Sequence, residues 1–178
     1  MMNLRSSMND VQSSLKKFID SNEKYKIIGM GDVGFGKDDE VLVTLALGSC
    51  VALVIYDPKM KVGGLAHVMQ PNSRSGEAGK PGKYADTAVP YMLRNLVNMG
   101  SSRERLVAKI AGGATMFPYA DVSESIGKKN VDAVKDMLNR YGIRLIAEDT
   151  LGNVGRSVKF YVSNGKMLIK TKEKIYEI

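Results

Sequence analysis

The chain contains one cysteine, one histidine and no tryptophan in 178 residues. A lone thiol cannot close an internal disulfide, and one Cys with one His falls short of the four ligands of a structural zinc site. No metal or cofactor is therefore expected, and Cys50 has to act as a thiol. No hydrophobic run approaches the roughly 18 residues that a membrane helix needs. The opening stretch, MMNLRSSMNDVQSSLKKFID, is too polar to be the apolar centre of a secretory signal. A cytoplasmic protein without membrane insertion is expected.

Lys and Arg outnumber Asp and Glu by 26 to 19, a formal charge of +7, which favours acidic partners. The basic residues are scattered and no aromatic-interleaved basic stretch recurs, so nucleic acid is not expected as a partner. With 44% hydrophobic residues the chain is long enough for one sizeable core and short for two. It divides into residues 1–25, an N-terminal amphipathic extension with apolar residues at three- and four-residue steps, and residues 26–178, a single domain.

From residue 26 the pattern changes to short β-type runs, KYKIIGM, EVLVTLAL, VALVIYD and KVGGLAHVM. A helix over about 85–99 is predicted with Val89, Leu93, Leu96 and Val97 on one face, ending at Gly100. A second, over about 126–141, has Val131, Val134, Leu138 and Tyr141 on one stripe and ends at Gly142. RLVAKIAGG and IRLIAED are predicted as strands, and SVKFYVSNGKMLIKTK as a hairpin with a type I′ turn at Asn164 and Gly165. Interleaved strands and helices with tight hairpins predict an α+β fold with mixed sheets.

Two glycine patterns in GMGDVGFGK imitate nucleotide-binding motifs: Gly29, Gly31 and Gly34 at dinucleotide-fingerprint spacing, and Gly31, Gly36 and Lys37 as most of a P-loop. Asp38 stands where a P-loop needs Ser or Thr, followed by Asp39 and Glu40. The next run, EVLVTLAL, is a strand pattern, so no helix opens there to present N–H groups to a phosphate. A glycine-rich loop between strands is the expectation.

Cys50 and His67 flank Asp57-Pro58-Lys59-Met60, a sequence suited to a type I turn. With Pro58 and Lys59 at its centre, the resulting hairpin places Cys50 directly opposite His67 on one face. A thiol beside an imidazole is an arrangement for nucleophilic catalysis, since an imidazolium favours the reactive thiolate. Gly48 and Ser49 permit a sharp turn whose N–H groups can hold an oxyanion. A third group that fixes the ring is the usual companion of such a pair. Thr44, the one hydroxyl in VLVTLAL, is the best-placed candidate; as a β-former it is equally at home in a strand for no other reason. Arg156 is open between gripping an acidic partner and lying solvated on the surface.

The words TLALGSCVALVIYD, GGLAHVMQP, GKYADTAV, KIAGGATMF, IGKKNV and GRSVKFYVSNGKMLIK resemble, in order, those of the chemoreceptor glutamine deamidases of chemotaxis, the CheD family. The resemblance covers about residues 26–170. It implies Cys50 as nucleophile, His67 as general acid/base and Thr44 as the residue that orients His67. It further implies mixed β-sheets layered between helices (α/β/β/α), similar to the deamidase domain of cytotoxic necrotizing factor toxins. The implied substrate is the glutamine side chain on chemoreceptor cytoplasmic helices, hydrolysed through a Cys thioester. The implied partner is the chemotaxis phosphatase CheC, and the alternative function is regulatory binding of CheC with catalysis secondary. Gln70 departs from the leucine common in the family's HVMLP segment.

Overall fold

A computed structural model describes residues 18–19, 22–74, 79–116 and 125–178. The strands are β1 (Tyr25–Ile27), β2 (Val33–Lys37), β3 (Val41–Leu47), β4 (Val51–Asp57), β5 (Val62–Val68), β6 (Val107–Gly112), β7 (Arg144–Thr150), β8 (Arg156–Tyr161), β9 (Met167–Lys170) and β10 (Ile175–Glu177). Helix α1 is Ala85–Asn98 and α2 is Ile126–Arg140. One sheet has the order β1-β3-β8-β9-β10, the other β2-β5-β4-β6-β7. Each contains one parallel pair, β1/β3 and β6/β7, among antiparallel ones. The fold is α+β, as expected.

Alternate residues of β4 and β5 join different apolar clusters, which assigns the two faces of their sheet. Val51, Leu53, Ile55, Ala66 and Val68 face α1 and α2 in one apolar cluster. Ala52, Val54, Tyr56 and Leu65 face Leu42, Leu47, Val158 and Phe160 of the other sheet in a second cluster. β4 and β5 are buried at every position, which is what a strand enclosed between helices and a second sheet requires. On the far face of the first sheet Phe18 packs against Val41 and Val43, and Lys159 Nζ donates to Phe18 O at 3.2 Å and pairs with Glu23. Of the predicted extension, residues 1–17, 20 and 21 lie outside the described residues, residues 22–24 are not helical, and Tyr25 already belongs to β1.

Both predicted helices end as expected, at Gly100 (φ 100°) and Gly142 (φ 68°). In α1 the buried stripe runs through Ala85, Ala88, Val89, Met92, Leu93 and Leu96, while Val97 is exposed. The run GMGDVGFGK is a loop only over residues 29–32; its second half, Val33–Lys37, forms β2 against β5, which corrects the expected loop, and no helix opens at its glycines. The terminal hairpin forms, with a correction to its turn. Phe160 pairs with Met167 and Tyr161 N donates to Lys166 O, so four residues close the loop. Gly165 (φ 73°) adopts the left-handed conformation and Asn164 does not. Buried Val162 occupies the loop and anchors it to the core.

Helix α2 docks on β6 through two glycines. A Cβ on Gly127 would lie 2.5 Å from Gly113 O and 2.9 Å from Ala114 O, both backbone atoms that cannot rotate away. Gly127→Ala is expected to push the helix off the sheet and cost about 1–3 kcal/mol, the usual scale of overpacking. Chemical denaturation of the variant measures it.

Candidate active site

The first strand of the site ends irregularly. Between Thr44 and Leu47 the β3/β8 register shifts, and Ala46 adopts φ 56°. The chain then bends through Gly48 and Ser49 and crosses from one sheet to the other, where β4 begins at Val51. Cys50 therefore sits at the crossover, half-buried, with Thr44 on one sheet and His67 on the other.

The β4/β5 register corrects the predicted pairing. Asp57 pairs with Val62 and Ala52 with His67, so Cys50 does not stand directly opposite the ring. The cause is the loop. The Asp57 carboxylate accepts from Lys59 N at 3.0 Å and Met60 N at 3.2 Å, and Lys61 takes φ 50°, so four residues close the hairpin. A shift of two positions preserves the pleat, and Cys50, Ala52 and His67 share the inter-sheet face. Cys50 is the diagonal neighbour of His67, a spacing of roughly 7–8 Å that a ring can span.

Thr44 reaches across the sandwich. Its Oγ1 lies 2.7 Å from His67 Nδ1 and 2.8 Å from Ile28 O, with Thr44 fully buried. A carbonyl can only accept, so the single hydroxyl proton goes to Ile28 O and the ring must supply the other: His67 carries its proton on Nδ1. Nε2 is then the lone-pair nitrogen. It is buried and among the described residues has no hydrogen-bond partner, so no thiol–imidazole hydrogen bond is present.

Burial pushes the Cys50 thiol up, and no charged neighbour offsets it. Burial pushes His67 down, partly opposed by the Asp32 carboxylate. Both effects favour neutral forms, so thiol and imidazole rest uncharged at neutral pH. This differs from the thiolate–imidazolium pair expected from the sequence, because the pair lies in a low-dielectric interior that penalises either charge.

Three successive carbonyls at the crossover are held. Gly48 O accepts from Ala114 N at 2.9 Å, Ser49 O from Asn130 Nδ2 at 3.0 Å, and Cys50 O from Gly113 N at 2.8 Å. Among the described residues no hydrogen bond takes up the Ser49 or Cys50 N–H. The segment AGGATM lies alongside, with Gly112 at φ 115° and a hypothetical Cβ there only 2.3 Å from Cys50 O. Met116, 51% exposed, covers Gly48 at the rim.

Arg156 faces inward. It is 8% exposed, forms a bidentate pair with Asp149 (3.0 and 3.1 Å) and donates to Leu151 O and Val154 O. It thereby shapes the loop whose Gly152 O receives Thr115 N. Gln70 is held through its backbone, which bonds Lys83 O and Ala85 N, and its side chain is exposed.

Thr44→Val removes the hydroxyl at nearly constant volume and leaves Nδ1–H and Ile28 O unpaired in the interior. A loss of about 1–3 kcal/mol is expected for each stranded group. Nitrogen-15 NMR of the ring should report the Nδ1–H tautomer in the wild type and its loss in the variant.

The family model described as CheD chemotactic sensory transduction matches residues 69–171. The chain belongs to the CheD family. A Methanococcus vannielii relative named probable chemoreceptor glutamine deamidase CheD is 49% identical over 85% of the chain and 97% of its own length. A Thermotoga maritima chemoreceptor glutamine deamidase CheD is 52% identical over 82% and 90%. A solved Bacillus licheniformis structure, hypothetical protein YfiH, matches 68% of the chain and 51% of its own at 15% identity and TM-score 0.41, too remote to inform the chemistry. The CheD match begins beyond His67, so the grouping of Thr44, Cys50 and His67 stands on their geometry.

Proposed function

We propose that this CheD-family protein is a cysteine-dependent chemoreceptor glutamine deamidase. The observation that carries the proposal is the Thr44 hydrogen bond, which leaves Nε2 of a buried histidine as a free acceptor on the face that holds the only thiol.

The chemistry follows from the protonation states. As Cys50 Sγ attacks the glutamine amide carbon, its proton passes to His67 Nε2, and the amide oxygen becomes an oxyanion held by the open N–H groups of Ser49 and Cys50. The imidazolium returns the proton to the departing nitrogen. The C–N bond breaks, ammonia leaves and a thioester remains. Water then attacks the thioester and gives one proton to Nε2, which passes it to the departing sulfur, yielding glutamate and restoring the thiol. Thr44 keeps the ring in the required tautomer through both half-reactions.

The substrate class comes from the names of the relatives, and the surplus of positive charge suits acidic receptor helices. The same reading takes residues 26–178 as the catalytic unit, residues 1–25 as an extension, a cytoplasmic location, and CheC as a binding partner. The test is to incubate the protein with a chemoreceptor cytoplasmic fragment and follow glutamine-to-glutamate conversion by peptide mass spectrometry. A fragment whose glutamines all remain amides would refute the assignment.

A further inference from the structure

Asn130 lies in α2, in the segment IGKKNV, outside the Thr44, Cys50 and His67 group. Its side chain is fully buried. The two Nδ2 hydrogens go to Ser49 O at 3.0 Å and Met69 O at 2.9 Å. The β4/β5 ladder ends at Val51 and Val68, so Ser49 and Met69 lie just past its open end, where the two chains part. Asn130 bridges that gap, joining the residue before the nucleophile to a residue two positions beyond the histidine. The approach depends on the Gly113/Gly127 contact, which brings α2 against β6, and Gly113 N in turn holds Cys50 O. An asparagine used only to fill the core would be expected to have its acceptor satisfied as well. Here Oδ1 is buried with no partner among the described residues, while both donors are used on the two catalytic strands.

We infer that Asn130 is a positioning residue that sets the separation of the Cys50 and His67 backbones by bridging Ser49 O and Met69 O. The inference rests on the Cys50–His67 reading above. Ser donates one hydrogen and Leu none, so neither can bridge two carbonyls.

In Asn130→Ser and Asn130→Leu, assayed on receptor-fragment deamidation, kcat should fall about 10- to 100-fold, the effect of misplacing reacting groups by around an ångström, with KM unchanged. A second readout separates positioning from plain stability. If Asn130 acts by aligning thiol with imidazole, Asn130→Ser adds little once His67→Gln is present, because the two share one interaction. Wild-type kcat in a folded Asn130→Ser protein, or losses that multiply fully in the double variant, would overturn the inference. Unfolding of both single variants would overturn it too, since Asn130 would then be holding the fold rather than the site. Turnover surviving in Cys50→Ala would instead remove the underlying catalytic reading, whatever Asn130 does.

Discussion

Cys50→Ala is expected to bring receptor-glutamine hydrolysis down by at least about 10⁴-fold, to the level that binding and the open N–H groups alone sustain. No other thiol exists in the chain to substitute. The side chain is half-buried and small, and its backbone is held by Gly113 N irrespective of the sulfur. Folding should therefore persist, with a melting temperature close to that of the wild type. Ammonia release and peptide mass spectrometry read the activity. Cys50→Ser should be nearly as inactive, because a hydroxyl ionises far less readily than a thiol and the group that holds His67 Nδ1 is the Thr44 hydroxyl, which strengthens the ring as a base less than a hydrogen-bonded carboxylate would. The alanine variant also separates the two readings of the protein. Retained CheC binding with no turnover would show that complex formation does not need the nucleophile; retained turnover would end the thiol mechanism.

Much of this arrangement was legible in residue order, and the limits have physical causes. Asp57-Pro58 announces a hairpin, and the hairpin forms. Its register depended on whether the Asp57 carboxylate would cap two further N–H groups, which lengthened the loop from two residues to four. The error was an even number of residues, so the pleat still delivered Cys50 and His67 to one face. The Asn164-Gly165 turn failed in a similar way, because burial of Val162 outweighed the local preference for a two-residue loop. From the residues themselves Thr44 was a candidate only by type and place in its strand, and the family resemblance supplied its role; its contact with His67 is made across two sheets, which no local pattern encodes. Asn130 could not be singled out at all. Its role requires α2 to dock by glycine contact on β6, and it meets residues 81 and 61 positions away in the chain. Arg156 reads as a surface cation until Asp149 and the carbonyls of Leu151 and Val154 are brought around it.

His67→Gln should lower kcat/KM by about 10²- to 10⁴-fold, the span attributed to a positioned general base, while its amide can still donate to Thr44 Oγ1 and preserve the packing. The pH dependence identifies the role more sharply. Burial holds His67 below its ordinary value of about 6.5 and Cys50 above its ordinary value of about 8.5. The competent state has a neutral ring and a neutral thiol, so wild-type kcat/KM should fall on the acid side only below about pH 6.5, and on the alkaline side only above about pH 8.5. A preformed thiolate–imidazolium pair would place the acid limb near about 3–4, where such thiols titrate. Stability should track the same group. Between His67's lowered folded value and about 6.5 the unfolded chain takes up a proton that the folded chain refuses, so stability rises with pH across that window and is lost as pH falls through it. The Asp57 and Asp149 carboxyls, held low by Arg105 and Arg156 against the cost of burial, withdraw their contributions only further toward acid. Thermal melts in steps from pH 7 to 5 should therefore slope in the wild type and flatten in His67→Gln. A variant that keeps both the slope and the acid limb would show that some group other than this imidazole accepts the proton.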